Sequence, residues 1–213
     1  MGNVGAGGIL LPHGMQSHPL DSPASPAPLM TDGRIRSVLV FCGSRPGQDS
    51  CHAVLAATVG RMLADRGVGL VYGGGALGLM GEIGRAALAA GGSVAGVIPR
   101  FLKDWEVAEP LCTDMTVVDS LHTRKAVMFE QADAVLALPG GLGTLDELVE
   151  VLSWRNLRLH ARPVWLMGDA GFWQPFLALL RHTVDTGFSS PEILTYVRYL
   201  PDADALAAAL VQP

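Results

Sequence analysis

The segment AVLALPGGLGTLDELVE (residues 134–150) joins an apolar run, a glycine-rich turn and a stretch that carries several carboxylates. The apolar run is typical of a buried strand, and Pro139 with the glycines after it ends that strand. The turn then opens a helix. A strand, a tight turn and a helix form the repeating unit of a parallel sheet, so this segment predicts an α/β fold.

The same alternation continues along the chain from Arg34 onward. It predicts an α/β, Rossmann-like, doubly wound parallel sheet in a single domain that spans residues 34–213. Residues 1–33 are rich in Gly, Pro, Ser and Ala, and we expect a disordered tail there. Strands are predicted at 35–43, 68–72, 93–99, 115–119, 134–139, 163–167 and 196–200, and helices at 50–66, 78–90, 121–131, in the quoted segment, at 172–186 and from 202.

Composition narrows the class of protein. The chain has 213 residues, 49% of them hydrophobic, and a formal net charge of -5. With only two lysines and no basic run, it is not expected to bind nucleic acid or an acidic membrane. The three cysteines form no CxxC pair, which fits the cytoplasm, and the six histidines show no metal-ligand spacing. We therefore expect no metal and no cofactor.

Three predicted strand-to-helix turns should open at one edge of the sheet, because the carboxyl ends of parallel strands meet there. They are FCGSRPG (41–47), YGGGALGLMG (72–81) and LPGGLGTLDE (138–147). The second turn has GxGxxG spacing, but the next strand ends in Ile98, Pro99 and Arg100 and not in the acidic residue that a nicotinamide cofactor requires. No GxxxxGK[ST] sequence is present, so a P-loop NTPase is also disfavoured.

The third turn has the features of a phosphate site. Gly140, Gly141 and Gly143 permit positive φ and close approach of a ligand to the backbone, and Thr144 adds a hydroxyl. The start of the helix presents unpaired N–H groups and the positive end of its dipole. Glu147 lies about 6 Å farther along the helix axis, a span similar to that from a 5′-phosphate to the ribose carbons. This order predicts that one face holds a phosphate and a sugar in series.

Several other residues near this turn have a structural interpretation as well as, or in place of, a functional one. Asp146 is explained by the dipole alone, since an acid in the first turn stabilises a helix. Arg124 and Lys125 begin a helix after another strand, so we expect them to project toward the same crevice, although a surface pair is the alternative. Trp154, on the face that follows Glu147, is either part of the site or packed against a neighbouring element. An arginine and a carboxylate beside a phosphate site favour chemistry on a phosphorylated sugar.

Together these motifs resemble the LONELY GUY (LOG) family. The resemblance rests on GGGxxGLMG at 73–81, the RK pair at 124–125 and PGGxGTxxE at 139–147. CGS at 42–44, GVIP at 96–99 and the WxxLxxHxxPV run at 154–164 support it. The similarity extends from about Arg34 to the C-terminus.

The resemblance implies a homodimeric phosphoribohydrolase. Such an enzyme cleaves the N-glycosidic bond of AMP or of N6-prenylated cytokinin nucleotides and releases the base and ribose 5-phosphate. It implies catalytic roles for Arg124 and Glu147. It also implies that the nucleotide is contacted by a larger set of residues, namely Glu106, Lys125, Gly140, Gly141, Gly143, Thr144 and Ser153.

Some questions stay open at the level of sequence. A non-catalytic carrier of a nucleotide-like ligand, similar to the molybdenum-cofactor carriers, is the main alternative to an enzyme. A pyridoxal-phosphate decarboxylase would need Lys125 as its Schiff base, and no other residue supports it. The chain departs from the family pattern at Leu121, Asn156 and Arg158, where Met, Gln and Gly are usual. We interpret these departures as bearing on the base pocket or the dimer surface, so the preferred base stays open.

Overall fold

The structure is a computed structural model that describes residues 34–102 and 111–211. The predicted tail lies outside the described residues. Within them, one sheet is built from β1 (Ser37–Phe41), β2 (Gly69–Tyr72), β3 (Val94–Pro99), β4 (Asp114–Val118), β5 (Ala134–Ala137), β6 (Val164–Met167) and β7 (Arg198–Leu200). The strand order is β4-β3-β2-β1-β5-β6-β7, and every neighbouring pair is parallel.

Helices cover both faces of this sheet. They are α1 (Cys51–Asp65), α2 (Gly78–Ala89), α3 (Leu121–Glu130), α4 (Leu142–Asn156), α5 (Ala170–Asp185) and α6 (Ala203–Val211), with a 3₁₀ turn at Pro191–Thr195. Helices α1, α2 and α6 share one apolar core with the sheet, and α3, α4 and α5 share a second core on the opposite face. The predicted doubly wound fold is therefore confirmed, and the predicted elements agree with the observed ones to within about two residues at most ends.

The direction of winding determines where a ligand can enter. The chain passes from β1 through α1 to β2 on one side, and from β5 through α4 to β6 on the other. The winding reverses between β1 and β5, which are hydrogen-bonded neighbours. In doubly wound sheets, the crevice outside the carboxyl ends of the strands at such a switch point is the usual ligand site. The glycine turn quoted above follows β5 directly and opens into this crevice.

Glycines bring α2 close to α1 and to the turn after β1. A Cβ at Gly60 in α1 would lie 2.4 Å from the carbonyl oxygen of Ile83 in α2, so only glycine permits this contact. Gly78 adopts φ +55°, and a Cβ there would lie 2.4 Å from the carbonyl carbon of Ser44. The N-terminus of α2 therefore rests against the turn after β1.

Within the described ranges, no helix has the length and apolar character needed to cross a membrane.

Candidate active site

A cavity of about 780 Å³ opens at the switch point. All three predicted turns contribute to it, which confirms that they meet at one edge of the sheet. Its wall is formed by the turn after β1, the first turn of α2, the turn after β5 and single residues of other helices. The lining residues are 42–49, His52, Leu79, Met80, Arg124, 139–144, Glu147 and Phe172.

The glycines after β5 serve two different purposes. A Cβ at Gly140 would lie 2.1 Å from Oγ1 of Thr144 and 2.9 Å from the amide nitrogen of Gly43, so close packing requires glycine there. Gly141 and Gly143 face open space, with no atom within 4 Å of a Cβ built on them. None of the three adopts the positive φ that glycine permits. Helix α4 begins at Leu142, so the chain turns without a left-handed residue.

The N-terminus of α4 is suited to an anion. Gly141 precedes the helix and provides no side-chain cap for the first N–H groups. Thr144 is buried, with 4% exposure, and lies on the cavity wall. Free first-turn N–H groups and the positive end of the dipole favour a phosphate at this position. We call residues 140–144 the glycine cradle.

Glu147 lies one turn beyond the glycine cradle and lines the same cavity. Burial raises the pKa of its carboxyl group from 4.5 to about 7, although the nearby Arg124 guanidinium opposes this effect. Asp146 and Glu150 raise the pKa further, and Lys125 lowers it. Near neutral pH the carboxyl group is therefore present in both protonation states. Such a group can accept or donate a proton during a reaction.

Arg124 is held in place by the backbone of two strand ends. Its Nε donates to the carbonyl oxygen of Val97 at 3.0 Å, and its Nη2 donates to the carbonyl oxygen of Gly73 at 2.7 Å. A Cβ at Gly73 would lie 2.0 Å from that Nη2, so this glycine makes room for the guanidinium. The first glycine of the GxGxxG pattern therefore seats an arginine. The arginine is 8% exposed and reaches the cavity, as predicted.

Lys125 and Ser153 lie elsewhere. Lys125 does not contribute to the cavity wall, contrary to the expectation that it projects into the crevice: its Nζ lies 3.0 Å from Asp146 and 2.9 Å from Glu150. The reason is that these two carboxylates of α4 attract the ammonium group away from the cavity. Ser153 is exposed on α4 and donates to the carbonyl oxygen of Val149 at 2.8 Å. Glu106 lies outside the described residues.

Two further residues that motifs had singled out have structural roles. Trp154 packs edge to face on Phe129, with ring centroids 5.1 Å apart, which confirms the packing interpretation. Arg158 follows the end of α4 with φ +59°, a left-handed conformation that favours glycine. Neither Arg158 nor Asn156 lines the cavity, so their departure from the family pattern does not reach a base pocket there.

Sequence reasoning did not single out several residues of the wall. Arg45, Asp49 and His52 follow β1, and Phe172 follows β6. The His52 and Phe172 rings meet edge to face, 6.2 Å apart, and Asp49 accepts the Cys51 amide at 2.8 Å. Their only signal in the sequence was topological: turns that follow the strands next to β5 must flank its turn.

Cys42 also lies on the wall, at the end of β1. Its thiol is buried, and burial followed by the charge of Glu147 raises its pKa. The thiol therefore stays protonated beside Glu147 and is a poor nucleophile.

Within residues 34–102 and 111–211, no group of three or more His, Cys, Asp or Glu side chains could hold a metal ion.

Fold and site together define a class. The protein is a Rossmann-like α/β protein in which an uncapped helix N-terminus, a carboxylate one turn farther along that helix and an arginine of a second helix face the same cavity. The family model described as "Possible lysine decarboxylase" matches residues 80–210. A probable cytokinin riboside 5′-monophosphate phosphoribohydrolase of Oryza sativa is 42% identical over 180 residues, which cover 84% of this chain and 73% of the relative.

A second relative is named for the same activity. The cytokinin riboside 5′-monophosphate phosphoribohydrolase of Rhodococcoides fascians is 42% identical over 179 residues, which cover 84% of this chain and 90% of the relative. The chain belongs to this family, the LOG family.

Solved structures of other proteins share the fold. The molybdenum cofactor carrier protein of Chlamydomonas reinhardtii aligns with a TM-score of 0.62 at 23% identity, over 83% of this chain and 96% of its own. A molybdenum cofactor binding protein of Rippkaea orientalis aligns with a TM-score of 0.60 at 19% identity, over 82% and 93%. At these identities the likeness concerns the fold alone.

Proposed function

We propose that the protein hydrolyses the N-glycosidic bond of purine nucleoside 5′-monophosphates, either AMP or N6-prenylated cytokinin nucleotides. The products are the free base and ribose 5-phosphate. The observation that carries this proposal is the placement of Glu147 in the same cavity as the glycine cradle, one helical turn beyond it. That spacing fits a 5′-phosphate at the helix N-terminus and a ribose beside the carboxylate.

The reaction follows from this geometry. The bond between C1′ and the base nitrogen breaks, and the base departs with the electron pair and takes up a proton. Positive charge develops on the ribose, and the Glu147 carboxylate attracts it more strongly in the transition state than in the ground state. Water then bonds to C1′ and gives a proton to Glu147, as in glycosidases. Glu147 becomes ionised again when it releases this proton, which balances the proton that the base takes up. Arg124, fixed by two carbonyl oxygens, favours the ionised form of Glu147 and orients the substrate.

The relatives support hydrolysis over the alternatives. Those reported above are named for phosphoribohydrolase activity on cytokinin riboside 5′-monophosphates. A carrier protein would need no carboxylate and arginine facing its ligand. A Schiff-base decarboxylase would need a neutral lysine; burial acts to lower the pKa of Lys125, but its bonds to Glu150 and Asp146 outweigh burial and raise it. Lys125 is therefore poorly suited to that chemistry.

Further parts of the proposal concern binding and assembly. The phosphate is bound by Gly140, Gly141, Gly143 and Thr144. Contacts of the nucleotide with Glu106, Lys125 and Ser153 remain predictions from the family.

We propose a cytoplasmic homodimer that binds neither nucleic acid nor membranes. Exposed apolar side chains on α4, Leu142 and Val149, with Leu121 at the start of α3, favour a surface covered by a second copy. Sedimentation of the purified protein tests the dimer.

The test of the reaction is release of free adenine from AMP, followed by chromatography. We expect turnover by the wild-type protein, and a loss of roughly 10²-fold or more in kcat for Glu147→Gln, because the change removes charge but little volume. Arg124→Ala should lose most of the activity as well. Near wild-type turnover by Glu147→Gln would contradict the catalytic assignment, and no base release from AMP or a prenylated AMP would contradict the proposed function.

A further inference from the structure

Lys125 lies between two carboxylates of the neighbouring helix. Its Nζ is 3.0 Å from Oδ2 of Asp146 and 2.9 Å from Oε2 of Glu150. Asp146 and Glu150 are four residues apart in α4 and so share one side of that helix. The lysine side chain is 15% exposed, and Glu150 is 22% exposed. We call Lys125, Asp146 and Glu150 the α3–α4 clasp.

The clasp adjoins both proposed catalytic residues. Lys125 follows Arg124 in α3, and Asp146 precedes Glu147 in α4. Arg124 and Glu147 line the cavity, whereas Lys125 does not. At the other end of α3, the Phe129 ring packs on the Trp154 ring of α4. The two helices are therefore joined at two points, and the charged one lies next to the cavity.

The clasp also balances charge around Glu147. The charged groups that act on this carboxyl group are Arg124 and Lys125 from α3 and Asp146 and Glu150 from α4; the Cys42 thiol, at the end of β1, is itself affected by the charge of Glu147. Burial is the largest influence on the Glu147 pKa; the two cations lower it, and the two carboxylates raise it. Because Lys125 pairs with both carboxylates, it limits the repulsion that they exert on an ionised Glu147.

We propose that Lys125 is a positioning residue: the clasp fixes α3 on α4, and with them the relative placement and charge of Arg124 and Glu147. This role replaces the nucleotide contact that the family predicts for Lys125, because its ammonium group lies on the two carboxylates and not on the cavity wall. The catalytic part of this inference rests on the proposed function. Its structural part, the effect of the clasp on Glu147, can be measured without turnover.

Lys125→Met tests the role directly through the pH profile of kcat/KM for AMP. Without the ammonium group, Asp146 and Glu150 repel an ionised Glu147 and raise its pKa. The acidic limb of the profile should therefore move to higher pH by about half a pH unit or more. We expect kcat to fall by about tenfold or more while KM changes by less than about threefold. Lys125→Arg should restore the wild-type limb. A raised KM with an unmoved limb would overturn the inference and make Lys125 a nucleotide contact.

Two variants keep the test decisive if Lys125→Met folds poorly. Asp146→Asn alters an exposed side chain and removes one repulsive carboxylate, so the limb should move to lower pH, opposite to Lys125→Met. Lys125→Met combined with Glu150→Met removes the carboxylate that would be left buried without a partner, and should move the limb back toward the wild-type position. An unmoved limb in Asp146→Asn, or no return in the double variant, would contradict the clasp.

A titration of Glu147 separates this inference from the proposed function. Carbon-13 NMR of glutamate-labelled protein, with Glu147→Gln to assign the signal, reports the Glu147 pKa directly. If wild-type protein releases no base, the proposed function fails, and the shifts predicted for Lys125→Met and Asp146→Asn still support the clasp. If base is released but the Glu147 pKa in both variants equals that of the wild type, the inference about the clasp is wrong and the proposed function stands.

Discussion

The environment of Glu147 favours its protonated form, whereas the proposed reaction requires its ionised form. Burial raises the pKa of its carboxyl group to about 7, while attraction for a positively charged ribose requires the anion. The protonated form is favoured by folding, so this group contributes stability that is fully present below its ordinary pKa of 4.5 and is lost as the pH rises through about 7. Function and stability therefore make opposite demands on this residue.

Glu147→Gln tests that opposition through stability. The amide cannot ionise, so the free energy of unfolding of the variant should exceed that of the wild type at pH 8 and come close to it at pH 5. We expect Tm to rise by a few degrees at pH 8, about what 1 kcal/mol gives in a domain of this size. Thermal unfolding at the two pH values is the measurement. Equal Tm values at pH 8 would show that ionised Glu147 is not destabilising.

Gly141 tests the glycine cradle. Its backbone is extended, with φ -95° and ψ -155°, and a Cβ there meets open space, so Gly141→Val should fold. The valine side chain would occupy the space where a phosphate approaches the backbone. KM for AMP should rise by about tenfold or more while Tm stays within a few degrees.

Gly140→Ala is the matched control for that change. A Cβ at Gly140 collides with Thr144, so this smaller substitution should lower Tm more than Gly141→Val does. An unchanged KM for Gly141→Val would place the phosphate elsewhere.

Helix α4 carries the glycine cradle at its start and a strained residue just after its end. The Arg158 amide donates to Arg155, and the Leu159 amide donates to Trp154, both at 2.9 Å, which is the bonding pattern of a Schellman C-cap. Arg158 itself has φ +59°, where an L side chain costs about 1 kcal/mol.

Arg158→Gly should therefore stabilise the protein. We expect the free energy of unfolding to rise by about 0.5–1 kcal/mol, since glycine removes the strain but adds freedom to the unfolded chain. Denaturant unfolding at pH 7 measures it. Arg158→Ala keeps the strained backbone and should give no gain; a similar gain in both variants would assign the effect to the arginine side chain.

At the level of elements, sequence patterns predicted most of the fold because burial imposes a period on each segment. The strand at 134–137 and the helix after it follow directly from an apolar run, a proline and glycines. Lys125 could not be placed in the same way. Its position depends on how α3 is rotated against α4, and Asp146 and Glu150 determine that contact from a segment some twenty residues away.

The wall of the cavity also contains residues that the sequence did not predict. Arg124, Thr144 and Glu147 belong to motifs and could be predicted from the sequence. His52 and Phe172 lie near the starts of two separate helices, α1 and α5, which only the sheet order brings together. Gly73 matched a dinucleotide pattern, yet it makes room for an arginine. A local motif predicts backbone shape; which side chain uses that shape is a property of the whole fold.

For the whole molecule, the central claim is that the switch-point crevice binds a 5′-phosphate and uses that binding to place the ribose beside Glu147. The most direct test is a side-by-side assay of base release from AMP and from adenosine by the wild-type protein. We predict a kcat/KM for adenosine at least about 10²-fold lower, equivalent to about 2.7 kcal/mol of lost transition-state stabilisation. Adenosine hydrolysed as well as AMP would contradict the account.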